Sequence, residues 1–368
     1  MDNFDIIVIG AGMAGSTAAA HLAPHRRVAL IEAEEAPGYH TTGRSAATWI
    51  LNYGPPDVRV LNALSKPFLD APPPGFADHA LTRPRAVLTV APEDQRAALE
   101  TMMQTSIGMR PIAAADARAL VPALRADYLA AAAIEDAADL DVAAIQQGFL
   151  RMLRAAGGVL ALRSRAGRIE RKAGQWEVDT SSGAVFRAPV VIDAAGSWGD
   201  EVAEIAGVAP LGLVPCRRTG TIIDPAPFQP EDWPMVMDAA GTWYARTEAR
   251  TKLMVSPADE TPMQPHDVQP DELDIAIGID RMQQALDIAV RRVERAWAGL
   301  RTFTPDHSLA FGWDAKAEGF FWCVGQGGYG IQTSPAAGRL VADLVLGRDP
   351  AEAGLIVSVI DPKRFAAD

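Results

Sequence analysis

Phe4-Asp5-Ile6-Ile7-Val8-Ile9-Gly10-Ala11-Gly12-Met13-Ala14-Gly15 decides the fold. Phe4 to Ile9 is an apolar, β-branched run without polar alternation, the pattern of a strand buried on both faces of a parallel sheet. The glycine turn follows, and the small apolar residues to Leu22 read as a helix. A second buried strand is expected over Arg27 to Glu32, closing a βαβ unit. In such a unit Gly10 permits the tight turn, Gly12 lets the backbone approach a pyrophosphate, and Gly15 lets the helix pack close. The N-terminus of the helix, at Met13 and Ala14, faces the negative charge. Glu32, with Ala33 beside it, stands about 20 residues on, where a carboxylate accepts from ribose hydroxyls and repels a 2′-phosphate. A dinucleotide site on a Rossmann-like α/β domain follows, with NAD and FAD both open.

The same grammar recurs twice. Pro189 to Asp193 reads as a buried strand leading into Ala194-Ala195-Gly196 and a helix from Trp198 to Ala206. Phe320 to Val324 leads into Gly325-Gln326-Gly327-Gly328-Tyr329-Gly330, with Ser334 as N-cap, Pro335 at the first helical position and Gly347 past the helix 336–346. Three such units from the beginning, middle and end of the chain fit one parallel sheet. The first domain is therefore expected to be discontinuous, built from 1–72, 145–213 and 318–368. Residues 73–144 and 214–317 would form a second, α+β domain based on a β-sheet. Val159 to Leu162, Arg168 to Arg171 and Gln175 to Asp179, set off by the turn signals Gly157-Gly158 and Ala173-Gly174, read as short strands of a meander laid on the first sheet.

The 368 residues are 49% hydrophobic and 22% charged, enough for packed cores. The net charge of -12 is scattered without a basic cluster, which argues against nucleic acid or an anionic membrane as partner. Cys216 and Cys323 lie far apart without CxxC spacing, so neither a disulfide nor a metal centre is expected, and a reducing compartment fits. The acidic N-terminus and its short apolar run match neither a signal peptide nor a transmembrane segment, so a cytoplasmic location is expected. His40, His266 and His307 fall in loops, where structural roles are expected.

Gly38-Tyr39-His40-Thr41-Thr42-Gly43-Arg44-Ser45-Ala46-Ala47 resembles the flavin-embracing loop of the D-amino acid oxidase superfamily, with bacterial D-arginine dehydrogenases nearest in pattern. The similarity extends through Tyr53-Gly54, Pro210-Leu211-Gly212-Leu213, Arg217-Arg218, Asp232-Trp233-Pro234-Met235, His266 to Pro270, Trp297 to Arg301 and Gln326 to Ser334. It implies FAD on a glutathione-reductase-type domain. By the resemblance, Thr42, Gly43, Arg44, Ser45, Ala46 and Ala47 would run along the flavin, and Ala166 would meet the adenine. Ala195, Gly196 and Trp198 would pack near the cofactor. Gly327, Gly328, Tyr329, Gly330, Ile331 and Gln332 would cover the pyrimidine edge. Main-chain N–H groups ending in a helix N-terminus also suit the negative charge of a reduced flavin.

The resemblance further implies that Arg218 and Arg301 hold a substrate carboxylate, with Tyr53, Tyr244 and Gly328 beside it, while Arg217 points elsewhere. Planar guanidinium forks suit a planar carboxylate. The expected reaction is oxidative deamination of a D-amino acid, by hydride transfer from Cα to flavin N5, giving an imine and then a 2-oxo acid and ammonia. Two positions depart from the D-arginine dehydrogenase pattern: Val87 replaces a Glu, and Thr48 replaces a His. A buried carboxylate that would pair with a cationic side chain is thereby lost, and neutral substrates are expected. In Lys252-Leu253-Met254-Val255, Leu253 falls where related sarcosine oxidases carry a lysine for oxygen activation, which favours a quinone or other carrier as electron acceptor. Glycine, sarcosine or other N-substituted amino acids form the alternative substrate class, followed by a 2-hydroxy acid. A flavin-binding subunit of a hetero-oligomer is the alternative outside catalysis.

Overall fold

The structure, a computed structural model, describes residues 2–366. Ile6–Ile9 lies at the centre of a six-stranded sheet, paired in parallel with Val28–Ile31 on one side and Val190–Asp193 on the other. Phe320–Val324 extends the sheet in parallel beyond Val190–Asp193, and Ala310–Trp313 closes that edge antiparallel.

Both faces of these strands are apolar because both are covered. Ile6, Val8, Leu30 and Phe321 pack against Ala18, Leu22, Leu150, Leu153 and Leu340 of the helices Met13–Leu22, Val142–Ala155 and Ser334–Leu346. Ile7, Ile9, Ile31 and Trp322 pack against Ile169, Trp176, Val178 and Phe186 of a four-stranded sheet on the opposite face. The unbroken hydrophobic runs in the sequence record this double burial.

Several expectations are corrected. Val159–Ala161 joins the six-stranded sheet in parallel beside Val28–Ile31 and is no part of the meander, which is formed by Ala166–Lys172, Gln175–Thr180 and Val185–Ala188 with Asp2–Asn3. The strand lies at the edge of that sheet, where Val159 is exposed. The last helix starts at Ser334 with Thr333 as N-cap, one residue before the cap expected, while Gly347 ends it in the left-handed conformation at φ 65°. Ala310–Trp313 belongs to the six-stranded sheet although it precedes residue 318, and Thr48–Ile50 belongs to the other large sheet although it falls within 1–72.

That other sheet is mixed, centred on the long strands Thr82–Ala91, Ala131–Leu140, Val214–Ile223 and Val293–Phe303. Here a period of two is visible. Leu88, Val236, Ala245, Leu253 and Val255 pack under the helix Glu272–Ala285, whereas Val87, Met235, Tyr244 and Met254 turn to the opposite face with Ile50. The second face looks onto the glycine turns of the first sheet, and the candidate site lies between. No helix among the described residues is long and apolar enough to cross a membrane.

Candidate active site

One continuous cleft runs from Glu32, across Gly10, Gly12, Met13 and Ala14, to Arg301 and Gly328. At its first end Gly10 takes φ +99° beneath Ala194. Glu32 accepts from the Ala11 N–H at 2.7 Å and the Glu34 N–H at 3.0 Å, which fixes its carboxylate against the turn. Ala33 and Ala166 line the same end, and Ala195, Gly196 and Trp198 line the adjoining wall. Gly15 is buried behind the turn and does not reach the cleft: a Cβ there would sit 1.9 Å from the Gly10 carbonyl oxygen. His40, in a loop as expected, is hydrogen-bonded to Glu34 at 3.1 Å and also lines the cleft, with its ring 4.5 Å from that of Trp198.

The loop Gly38 to Ala47 crosses the cleft, and its anchors are side chains from the other sheet. Arg44 pairs with Asp267 at 2.5 Å and donates to the Ala298 carbonyl at 3.1 Å, while Trp297 Nε1 donates back to the Arg44 carbonyl at 3.2 Å. Thr42 Oγ1 accepts the Met13 N–H at 3.0 Å. Gly43 is turned back onto Gly38 and lies outside the cleft lining, unlike Thr42, Arg44, Ser45, Ala46 and Ala47. Thr48 Oγ1 donates to the Ala46 carbonyl at 3.0 Å, so its hydroxyl serves the loop. The same carbonyl accepts from Arg246, a part-buried cation tied to Asp139 at 3.5 Å, which in turn pairs with Arg85 at 2.7 Å. Ala47 then turns at φ +51°, a conformation that costs a non-glycine residue energy and needs such support. Replacing Arg246 with methionine is expected to raise the FAD dissociation constant about tenfold, because one charge-assisted bond to the loop is lost and Asp139 keeps a single partner. Titration of the apoprotein with FAD checks this; an unchanged constant contradicts it.

At the far end Arg301 Nη1 donates to the Tyr53 hydroxyl at 2.8 Å, and Gly328 faces both: a Cβ on Gly328 would lie 2.8 Å from that hydroxyl and 2.9 Å from Nη1. Burial works against the Arg301 charge, yet Tyr53, Tyr244 and Glu260 outweigh it and hold the guanidinium more firmly protonated than usual. Burial pushes the Tyr244 phenol up, but the charges of Arg301 and Arg218 outweigh burial and leave it below its ordinary value. Arg218 lines the cleft, and Arg217 turns away to Asp274 at 2.7 Å. Gly327, Gly330, Ile331 and Gln332 line the roof, and Gln332 accepts the Ile50 N–H at 3.1 Å. The Tyr329 ring is packed edge-on against Tyr53 at 5.2 Å and does not line the cleft.

Two sequence assignments are corrected in the second sheet. Val87 shares the cleft-side face with its register partner Met235 but has no accessible surface and does not line the cleft. Leu253 points into the helix-covered core, and Met254 faces the cleft in its place; Lys252 is held by Glu294 at 2.7 Å and Asp224 at 3.3 Å.

The protein fits FAD by its own geometry. A glycine turn with no room for a side chain at Gly10 or Gly15, a helix N-terminus and a fixed carboxylate form one end, and a glycine roof over apolar side chains forms the other, in a single cleft. The family model described as DAO, FAD dependent oxidoreductase, matches residues 5–344. The chain belongs to the DAO family of FAD-dependent oxidoreductases. Its cofactor is FAD.

Among solved structures, this DAO-family chain is similar to glycine oxidase from Geobacillus kaustophilus, at 20% identity and TM-score 0.86, covering 100% of both chains. It is similar to L-proline dehydrogenase from P. horikoshii, at 20% identity and TM-score 0.84, over 99% of this chain and 98% of that one. It is also similar to FAD-bound L-alpha-glycerophosphate oxidase from Mycoplasma pneumoniae, at 16% identity and TM-score 0.83, over 96% and 98%. At these identities the likeness is one of fold. Among curated proteins, FAD-dependent oxidoreductase domain-containing protein 1 of Xenopus laevis is 27% identical over 179 residues, 43% of this chain and 34% of that protein. The Bos taurus counterpart is 27% identical over 181 residues, 43% of this chain and 35% of that protein. The match thus spans about a third of those relatives' length.

The sequence reading of this oxidoreductase missed Arg246, Glu260 and the methionine wall of Met235, Met237 and Met254. Alternation along Met235–Asp238 carried the signal for the wall. Nothing local marked Arg246 or Glu260, whose partners are distant in the chain.

Proposed function

We propose that this oxidoreductase oxidises small neutral D-amino acids to 2-oxo acids and ammonia. The observation that carries the reading is the convergence of Arg301, Arg218, Tyr53 and Tyr244 at one end of the FAD cleft, opposite an apolar wall of Ile50, Met235, Met237 and Met254. The arginines and phenols bind the carboxylate, and the wall takes the side chain. FAD, when bound, supplies the hydride acceptor. The chain's own groups do the orienting: Arg301, braced by Tyr53, fixes the carboxylate, and the missing side chain of Gly328 lets both groups approach the glycine roof. Among the described residues no lysine or histidine lines this end, so the substrate amine enters or becomes neutral by losing its proton to water.

The D configuration follows from the resemblance of the loop Gly38 to Ala47. The methionine wall of Met235, Met237 and Met254 supports neutral over cationic side chains. Met254 in the cleft, with Lys252 tied to Glu294, supports a quinone or other carrier as acceptor. A second reading, glycine or a secondary amino acid, is favoured by neighbours described as a glycine oxidase and an L-proline dehydrogenase. In a steady-state screen with a dye acceptor, neutral D-amino acids are expected to exceed D-arginine and D-lysine in kcat/KM by about tenfold or more. The highest kcat/KM for either cationic substrate contradicts the proposal.

A further inference from the structure

The strand Val214–Ile223 pairs with Lys252–Ser256 at Thr221 to Ile223 and with Thr261–Pro262 at Cys216 and Arg217. Between these pairings, at Arg218 to Gly220, the neighbouring chain leaves the sheet as the loop Pro257 to Glu260. The loop is fixed from several sides. Asp259 accepts the Thr219 N–H at 2.6 Å and the Thr219 hydroxyl at 2.9 Å, and its carbonyl accepts from Arg218 Nε at 2.8 Å. Ala258 turns at φ +52° with its N–H on Ser256 Oγ at 3.2 Å. This fixed backbone presents Glu260 to the cleft, where its carboxylate accepts from Arg218 Nη2 at 2.7 Å.

Arg218 thus has Nε and Nη2 already engaged, whereas Arg301 meets no carboxylate within ion-pair distance among the described residues. The charged side chains at this end of the cleft are Arg218, Arg301 and Glu260, a net charge of about +1. We infer that Glu260 is a specificity-determining residue that neutralises Arg218 and so restricts the site to ligands with one carboxylate, received by Arg301. This rests on the reading that the two arginines form a carboxylate site. A second carboxylate meets Glu260 instead of a free cation, and like charges at close range in a part-buried cleft repel strongly. Glu260 is half-exposed, with 49% of its side chain accessible, so its desolvation on pairing with Arg218 is incomplete and the pair forms at little cost.

The test uses the FAD-loaded protein and two non-oxidisable probes, propionate and succinate, titrated against the flavin absorbance spectrum. The wild-type protein is expected to bind propionate at least about tenfold more tightly than succinate. In Glu260→Gln the gap is expected to narrow by about tenfold or more, equivalent to ~1.4 kcal/mol, mainly because succinate tightens. Glu260→Ala is expected to behave in the same way, which assigns the effect to charge. An unchanged gap overturns the inference, as does equal tightening of both probes, which would make Glu260 a plain competitor for Arg218. If propionate perturbs the flavin in neither protein, the carboxylate site itself is wrong and the inference falls with it.

Discussion

Arg301→Met is expected to lower kcat/KM for the best amino acid by about a thousandfold, ~4 kcal/mol, while FAD stays bound. Of the two cleft arginines, Arg301 is the one that meets no acidic side chain within ion-pair distance among the described residues, and it is braced by Tyr53 at 2.8 Å where Gly328 has no side chain to displace either group. A charge-assisted fork in a closed cleft is among the strongest polar contacts a protein makes, and methionine keeps the volume without the donors. Arg218→Met is expected to cost less, about tenfold, because Glu260 already draws on its donors. Steady-state kinetics on both variants checks the order; an Arg301→Met loss below tenfold, or a larger loss in Arg218→Met, contradicts it.

The second large effect is expected at the glycine turn, where two neighbouring glycines should fail in different ways. A Cβ at Gly15 would lie 1.9 Å from the Gly10 carbonyl oxygen and 3.3 Å from the Ala194 Cβ, so Gly15→Ala forces the helix Met13–Leu22 off the sheet. Overpacking of this kind typically costs about 1–3 kcal/mol and here strains backbone against backbone, so the loss is expected at the top of that range or above it. A Cβ at Gly12 would meet only Thr42 Oγ1 at 3.6 Å, an ordinary contact, but would project into the cleft. Gly12→Ala is therefore expected to fold with the melting temperature of the wild-type apoprotein and to lose FAD affinity by about a hundredfold. Gly15→Ala should lose both the cofactor and thermal stability. Thermal melts and the flavin-to-protein absorbance ratio separate the two, and equal melting temperatures for the two apo variants contradict the packing argument.

The first sheet was readable from the chain because its determinants are local. Ile6–Ile9, Val190–Asp193 and Phe320–Val324 each announce double burial and each run into glycine. FAD could be told from NAD only through the resemblance of the loop Gly38 to Ala47, since Glu32 serves a ribose of either dinucleotide. The edge strand Val159–Ala161 was misplaced because so short an apolar run carries no local mark of which sheet it joins. In the second sheet a slip of one residue exchanges faces, which is why Leu253 is in the helix-covered core while Met254 lines the cleft; Val87 shares the face of Met235 but is covered there and does not reach the cleft. Arg246 and Glu260 lay beyond any sequence period: each acts through a partner fixed only by the fold, Ala46 and Arg218.

The central claim is that an amino acid's carboxylate is held at Arg301 so that its Cα–H faces the FAD this chain binds. Its most direct test is anaerobic mixing of the FAD-loaded protein with a panel of D- and L-amino acids while the visible absorbance of the oxidised flavin is followed. The account predicts rapid bleaching by at least one neutral D-amino acid and slower bleaching by D-arginine and D-lysine. No bleaching by any D-amino acid contradicts it.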